Sequence, residues 1–375
     1  MKNLKVALAH DYLREYGGAE RVLEALHEIF PDAPVYTAYY NPEGLGENNK
    51  RFAGWDIRPS WFQKFPFANR LLSPFRIFGP MMFASFDLSE YDLVISSSSA
   101  THLAKAVITK PETLHISYIH TPPRFLYGYV TSFNYKKHWW TRIGGEIINH
   151  FMRIYDFEVS QRPDILVANS KNIAARIKKF YRRDSVVIYP PVDLAVVGKR
   201  KPEDYFLVLS RLVRGKGVDI IVEACGKLGL PLKVAGVGPE LDNLKKLTIN
   251  HKPQTINFLG WVSDEERIKL LQNAKALVVA AEDEDFGITS IEAQAAGTPV
   301  IAPASGGFLE TVEDGKTGLL YGGPGRVTVE SLIEALKRFK EDEFKAEVLR
   351  ENAEKFSKER FKKEILELIK SNLGT

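Results

Sequence analysis

The sequence predicts an α/β protein of two domains, each built around a parallel sheet. Three observations carry that expectation. At 375 residues the chain is too long for one ordinary core and fits two. Short β-branched runs alternate with helical patterns from end to end, as βαβ units do. A polar, proline-punctuated stretch, Pro190-Pro191-Val192-Asp193 and then Gly198-Lys199-Arg200-Lys201-Pro202, divides those runs into two series and reads as the linker.

The first series predicts strands at residues 4–9, 91–97, 115–119, 165–168 and 186–189. The second predicts them at residues 206–210, 232–235, 256–259, 276–280 and 299–301, with a short one at 319–321. Helices fill the tail from about residue 343, and the last carries Phe361, Ile365, Leu368 and Ile369 on one face. That helix is expected to pack back onto the first domain. The expected domains are therefore residues 1–193 together with 357–375, and residues 202–356.

Composition narrows the class. Hydrophobic residues are 45% and charged residues 26% of the chain, an ordinary globular balance, and no apolar run reaches the roughly 18 residues of a membrane span. The opening residues hold too short an apolar stretch for a signal peptide, so a cytosolic protein is expected. The net charge of +4 is slight, but the first 200 residues carry an excess of basic over acidic residues and most of the aromatics, which suggests a phosphate-bearing partner or a membrane face and not nucleic acid in particular. Cys225, the single cysteine, falls in an apolar helical pattern and should be buried and inert.

Several turns carry candidate chemistry. Gly17-Gly18-Ala19-Glu20-Arg21 follows the first strand and opens a helix, a place where backbone N–H groups can approach a phosphate. It is not the G-x-G-x-x-G fingerprint, so a dehydrogenase is not indicated. In the second half, Arg211-Leu212-Val213-Arg214-Gly215-Lys216-Gly217 sets two cations five residues apart beside glycines, suited to a pyrophosphate. Gly236-Val237-Gly238-Pro239 is another close-approach turn, and Ser263-Asp264-Glu265-Glu266 a capping box. The acidic loop Glu282-Asp283-Glu284-Asp285-Phe286-Gly287 then enters a helix containing Glu292. Compensation of the helix dipole explains part of this cluster, but not a mid-helix Glu292 between Ile291 and Ala293. Such a carboxylate can accept hydrogen bonds from vicinal hydroxyls, as acidic residues in nucleotide folds hold ribose.

Glu284 and Glu292, separated by seven residues that include Phe286-Gly287, resemble the E-x7-E signature of the retaining glycosyltransferase family four, of GT-B fold. Arg211 and Lys216 match its R-L-x-x-x-K-G element, and Gly17-Gly18 its N-terminal glycine loop. Gly236 to Pro239, Tyr189 to Asp193, and Gly306-Gly307 with Glu310 fall in the same order. His120-Thr121-Pro122-Pro123-Arg124, with Asp11-Tyr12-Leu13, resembles the branch of bacterial and archaeal mannosyltransferases of surface polysaccharide assembly. One departure is Ser210, where the family usually has glycine before the arginine.

The resemblance implies two Rossmann-like domains with parallel sheets facing across a cleft, the first binding the acceptor and the second the nucleotide sugar. It implies transfer of a hexose, mannose from GDP-mannose, to a saccharide or lipid-linked saccharide. Catalytic roles would fall to His120, Glu284, Arg211 and Lys216. Donor contacts would come from Gly17, Gly18, Arg211, Lys216, Gly236, Val262, Glu284, Phe286, Gly287, Ile288 and Glu292. Glu292 would bind the ribose, Glu284 and His120 the hexose, and Arg211, Lys216 and the Gly18 amide the diphosphate. The family shows no consistent nucleophile, so departure and attack on one face of the sugar is expected. The cations Arg211 and Lys216 would serve the diphosphate in place of a metal, and no metal or other cofactor is expected. Residues 55–83, and Tyr135-Lys136-Lys137-His138-Trp139-Trp140-Thr141-Arg142, mix aromatics with cations in the manner of a surface lying on anionic lipid, which would make the protein peripheral at the inner face of the cell membrane. Against this stand two alternatives: a soluble disaccharide synthase or phosphorylase of the same fold, and a non-catalytic nucleotide-sugar-binding protein.

Overall fold

A computed structural model describes residues 4–72, 74–99, 103–131, 139–194, 200–248 and 255–373. The chain divides into two compact units: Met1–Tyr129, Asn134–Pro191 and Lys358–Thr375 form the first, Val130–Phe133 and Val192–Ser357 the second.

In the first unit the strands are β1 (Val6–His10), β2 (Val35–Thr37), β3 (Ile57–Pro59), β4 (Leu93–Ser98), β5 (Leu114–Ile119), β6 (Ile165–Ala168) and β7 (Val186–Val187). They pair in parallel in the order β3-β2-β1-β4-β5-β6-β7. β1 and β4 are buried along their whole length, which is why each opens as an apolar run, Val6 to Ala9 and Leu93 to Ile95, before its polar end. β2 and β3 are absent from the sequence reading. Each has three residues, and β3 ends on a proline, which only an edge strand tolerates.

The second unit holds β8 (Phe206–Leu209), β9 (Leu232–Ala235), β10 (Ile256–Gly260), β11 (Ala276–Val278), β12 (Val300–Pro303) and β13 (Gly318–Tyr321), parallel in the order β10-β9-β8-β11-β12-β13. Cys225 is fully buried in this unit's core, and burial pushes its thiol up to about 12.

Both sheets reverse direction beside their first strand, between β1 and β4 and between β8 and β11. Such switch points open a crevice at the carboxyl ends of the strands, where open α/β sheets take ligands. The last helix, Lys358–Leu373, belongs to the first unit: Phe361, Ile365 and Ile369 are buried in the cluster around β1, Phe361 lies edge-on to Tyr118 with ring centres 5.9 Å apart, and Lys358 pairs with Glu28 at 3.1 Å. Gly198 and Lys199 of the expected linker lie outside the described residues.

Candidate functional site

In the second unit the site grows from the ends of β8 and β11. After β8 the loop holding Arg211 and Lys216 must turn tightly against β11. Gly217, at φ +64°, allows this, because a Cβ there would meet the Ala280 carbonyl oxygen at 2.4 Å. The loop delivers Lys216 Nζ to 2.6 Å from Glu284 Oε2, a pair separated by 68 residues. Gly306 and Gly307 support the acidic loop from below, the Gly307 amide donating to the Glu284 carbonyl at 2.8 Å. Lys216 and Glu284, with Ser210, Thr289 and Phe308, line a cavity of about 20 Å³, room for roughly one water. Both partners remain partly exposed, at 29% and 17%, so the pair contributes at most about 1 kcal/mol and is readily exchanged for a ligand. Arg211 is exposed at the start of the same loop.

Glu292 lies in the helix Ile288–Ala295, which Gly287 starts at φ +94°. It is 7% exposed, and its carboxylate accepts from the Arg267 guanidinium of the helix Asp264–Asn273. Arg267 also pairs with Asp264 at 3.2 Å, and its Nε is buried with no partner among the described residues. Sequence reasoning missed Arg267, which belongs to the helix that the Ser263–Glu266 capping box begins and is 25 residues from Glu292.

Other expected donor contacts are placed differently. Gly236 meets a close approach inside the fold: at φ +145° a Cβ would lie 1.9 Å from the Ser210 carbonyl oxygen, so the glycine accommodates the neighbouring loop. The partly buried Val262 side chain packs on the core, and Phe286, 2% exposed, packs on Phe356 with ring centres 5.4 Å apart, so the Phe286 ring is turned inward. A larger cleft of about 450 Å³ lies along Val213, Arg214, Asp219, Glu240, Asn243 and Asp283, and none of the expected donor contacts lines it.

In the first unit the switch point gathers His10 at the end of β1, Ser97 in β4 and His120 just beyond β5. Ser97 Oγ is 2.9 Å from His120 Nε2 and 3.1 Å from His10 Nδ1. Burial lowers the His120 pKa to about 3, with a smaller contribution from His10, so the ring is neutral at ordinary pH. Gly17 corrects the phosphate expectation in part. Its amide donates to Glu20 Oε2 at 2.8 Å, the backward arm of a capping box, and is not directed to a ligand; Gly18 is the first residue of the helix Gly18–Ile29. Asp11 Oδ1 accepts from the Ala104 amide at 2.7 Å. Next to it Lys105, 1% exposed, reaches Asp156 Oδ1 and the Tyr181 hydroxyl, both at 2.6 Å, while the Tyr127 hydroxyl donates to Asp156 Oδ2 at 2.7 Å. Ser97 and Lys105 were not singled out in the sequence, where Ser97 is simply the last residue of an expected strand.

Residues 16–196 match the family model described as Glycosyltransferase Family 4, and residues 192–356 that described as Glycosyl transferases group 1. An uncharacterised glycosyltransferase of Methanocaldococcus jannaschii is 29% identical over 157 residues, 42% of this chain and 45% of that protein. The D-inositol 3-phosphate glycosyltransferase of Mycobacterium avium is 31% identical over 192 residues, 44% of each chain. The chain thus spans under half the length of these relatives. Among solved structures, Anabaena HepE in complex with UDP-glucose superimposes with a TM-score of 0.70 at 19% identity, over 98% of this chain and 100% of that one. The sucrose-phosphate synthase of Thermosynechococcus elongatus does so with a TM-score of 0.72 at 17% identity, over 98% and 99%. The two family matches overlap at residues 192–196 and together cover residues 16–356 on two Rossmann-like units, so the chain is a glycosyltransferase of GT-B fold whose first part matches Glycosyltransferase Family 4 and whose second matches Glycosyl transferases group 1.

Proposed function

We propose that the chain transfers a hexose, with retention, from a nucleoside diphosphate sugar to a saccharide or lipid-linked saccharide, with GDP-mannose as the first donor to test. The observation that carries this reading is the Lys216–Glu284 pair at the β8/β11 switch point: a cation suited to a phosphate touches a carboxylate suited to a sugar hydroxyl. In the transfer the bond from the anomeric carbon to the phosphate oxygen breaks. The acceptor oxygen bonds to the same face of the sugar, and its proton passes to the departing phosphate. Arg211 and Lys216 stabilise the charge that develops on the diphosphate, an electrostatic task that asks for no metal. His120 contacts the hexose, and Glu292, oriented by Arg267, takes the ribose.

The two glutamates should then fail differently. Glu292→Ala is expected to weaken binding of the free nucleoside diphosphate by about tenfold to a hundredfold, the worth of a charged hydrogen-bond acceptor. Glu284→Ala should leave that affinity nearly intact while turnover falls sharply. Calorimetric titration beside initial rates, both in excess chelator, checks this. Equal loss of the diphosphate in the two variants, or normal turnover in both, overturns the assignment. A free soluble acceptor working as well as a lipid-linked one would favour the disaccharide synthase alternative. Binding without turnover would favour a nucleotide-sugar-binding protein.

Exposed apolar groups support a lipid-facing acceptor side. Within residues 55–83, Phe62, Met82 and Phe83 are core, but Phe67 is 73% and Met81 57% exposed. Arg58 is tied to Asp56 and Tyr36, and Arg76 covers the Phe125 ring, so Lys64 and Arg70 are the better candidates for anionic lipid. In the helix Trp139–Val159, Asn149, Met152, Asp156 and Val159 are buried while Ile143, Ile147, Phe151 and Ile154 face outward. Of the basic aromatic stretch before it, Tyr135 to His138 lie outside the described residues. No helix among the described residues is long and apolar enough to cross a membrane.

Phe67 stands at φ 58°, a left-handed conformation that costs a bulky residue about 1–2 kcal/mol. Phe67→Gly is therefore expected to reduce cosedimentation with anionic vesicles at low salt without lowering the unfolding midpoint. Lys64→Ser with Arg70→Ser should reduce it further. Wild-type protein that ignores such vesicles refutes the membrane reading.

A further inference from the structure

At the β1/β4 switch point four polar side chains form one row from the glycine loop to His120. Glu20, whose Oε2 takes the Gly17 amide, sets Oε1 3.4 Å from His10 Nε2. His10 Nδ1 is 3.1 Å from Ser97 Oγ, and Ser97 Oγ is 2.9 Å from His120 Nε2. His10 and Ser97 are wholly buried, Glu20 is 5% exposed and His120 9%.

The row has a direction. A hydroxyl donates one proton, so Ser97, standing between two imidazole nitrogens, donates to one and accepts from the other. The Glu20 carboxylate can only accept, and so calls for a proton on His10 Nε2. Neutral His10 then has a bare Nδ1, which takes the Ser97 proton. The Ser97 oxygen in turn takes the proton of His120 Nε2. Nδ1 of His120 is left with its lone pair and, among the described residues, no protein partner. A second proton on His10 would reverse the sequence and make Nδ1 of His120 a donor.

We propose that Glu20, His10 and Ser97 are positioning residues that hold His120 as the Nε2–H tautomer, so that its Nδ1 accepts a hydrogen bond from a hydroxyl of the transferred sugar. A carbonyl, carboxylate or phosphate oxygen would meet a lone pair there and be disfavoured. The tautomer follows from the row with His10 neutral. The identity of the hydroxyl rests on the function proposed above.

Two measurements separate these halves. The full chain labelled with ¹⁵N-histidine is read by long-range proton–nitrogen correlation at pH 8, with His120 assigned by the signal lost in His120→Asn. A protonated Nε2 and a bare Nδ1 are expected; a protonated Nδ1 overturns the proposal. Glu20→Gln, whose amide can donate to His10, should move His120 toward the other tautomer. For the sugar contact, Ser97→Ala should raise KM for the sugar donor about tenfold, the worth of one well-placed hydrogen bond, with nucleoside diphosphate affinity unchanged and Ser97→Thr restoring the wild-type value. An unchanged KM in a folded Ser97→Ala overturns the sugar contact. A chain inactive with every nucleotide sugar would sink the proposed function, yet the tautomer measurement would still decide the first half.

Discussion

Lys216→Ala is expected to lower turnover by about 10²–10³-fold, the usual loss when one group that stabilises developing charge is removed. Because the Lys216–Glu284 pair is partly exposed, its loss should change folding stability by no more than about 1 kcal/mol. Activity and stability are therefore expected to separate. Initial rates with the full donor, beside denaturant unfolding, test this. Lys216→Arg keeps a cation but exchanges a compact ammonium for a planar fork, and should recover only part of the rate. If Lys216→Ala unfolds the chain, or turns over normally, the diphosphate role is wrong.

The largest stability effect is expected in the first unit, at Lys105. Its ammonium is buried, and burial lowers its pKa against the opposing attraction of Asp156. Lys105→Met would leave the Asp156 carboxylate, itself wholly buried, with only the Tyr127 and Tyr181 hydroxyls. Removing one partner of a buried pair costs about 3–5 kcal/mol, whereas replacing both with apolar groups of similar size is often neutral. Lys105→Met combined with Asp156→Leu should accordingly be more stable than Lys105→Met alone. Urea unfolding followed by a probe in the first unit is the measurement, since two units need not melt together. A loss below about 1 kcal/mol for Lys105→Met would show that water reaches this pair.

Much of this architecture was legible because parallel strands buried on both faces read as apolar runs, as at β8, β11 and β12. The two short strands were not, since three residues of β3 beside a proline carry no periodicity. Candidate ligands of the second unit were also legible: Arg211, Lys216, Glu284 and Glu292 announce themselves by charge where the pattern calls for none. Their partners were not. Arg267 meets Glu292, Ser97 meets His120 and Lys105 meets Asp156 only through sheet order and helix packing, across separations of 25, 23 and 51 residues. Gly236 misled for a related reason, because a glycine reports that something comes close without saying whether it is a phosphate or the chain itself.

The placement of the last helix bears on how the protein is made. The core around β1 is closed by Phe361, Ile365 and Ile369, so the unit that leaves the ribosome first cannot complete its apolar interior until nearly the whole chain has followed. The second unit, drawn from Val130–Phe133 and Val192–Ser357, has all of its residues before that helix is made. Synthesis thus runs ahead of assembly at the amino end, where an open sheet and an uncovered apolar stripe coexist for the time it takes to translate the rest. Apolar surface exposed in this way is prone to aggregate until the last helix covers it, the hazard that chaperones exist to limit.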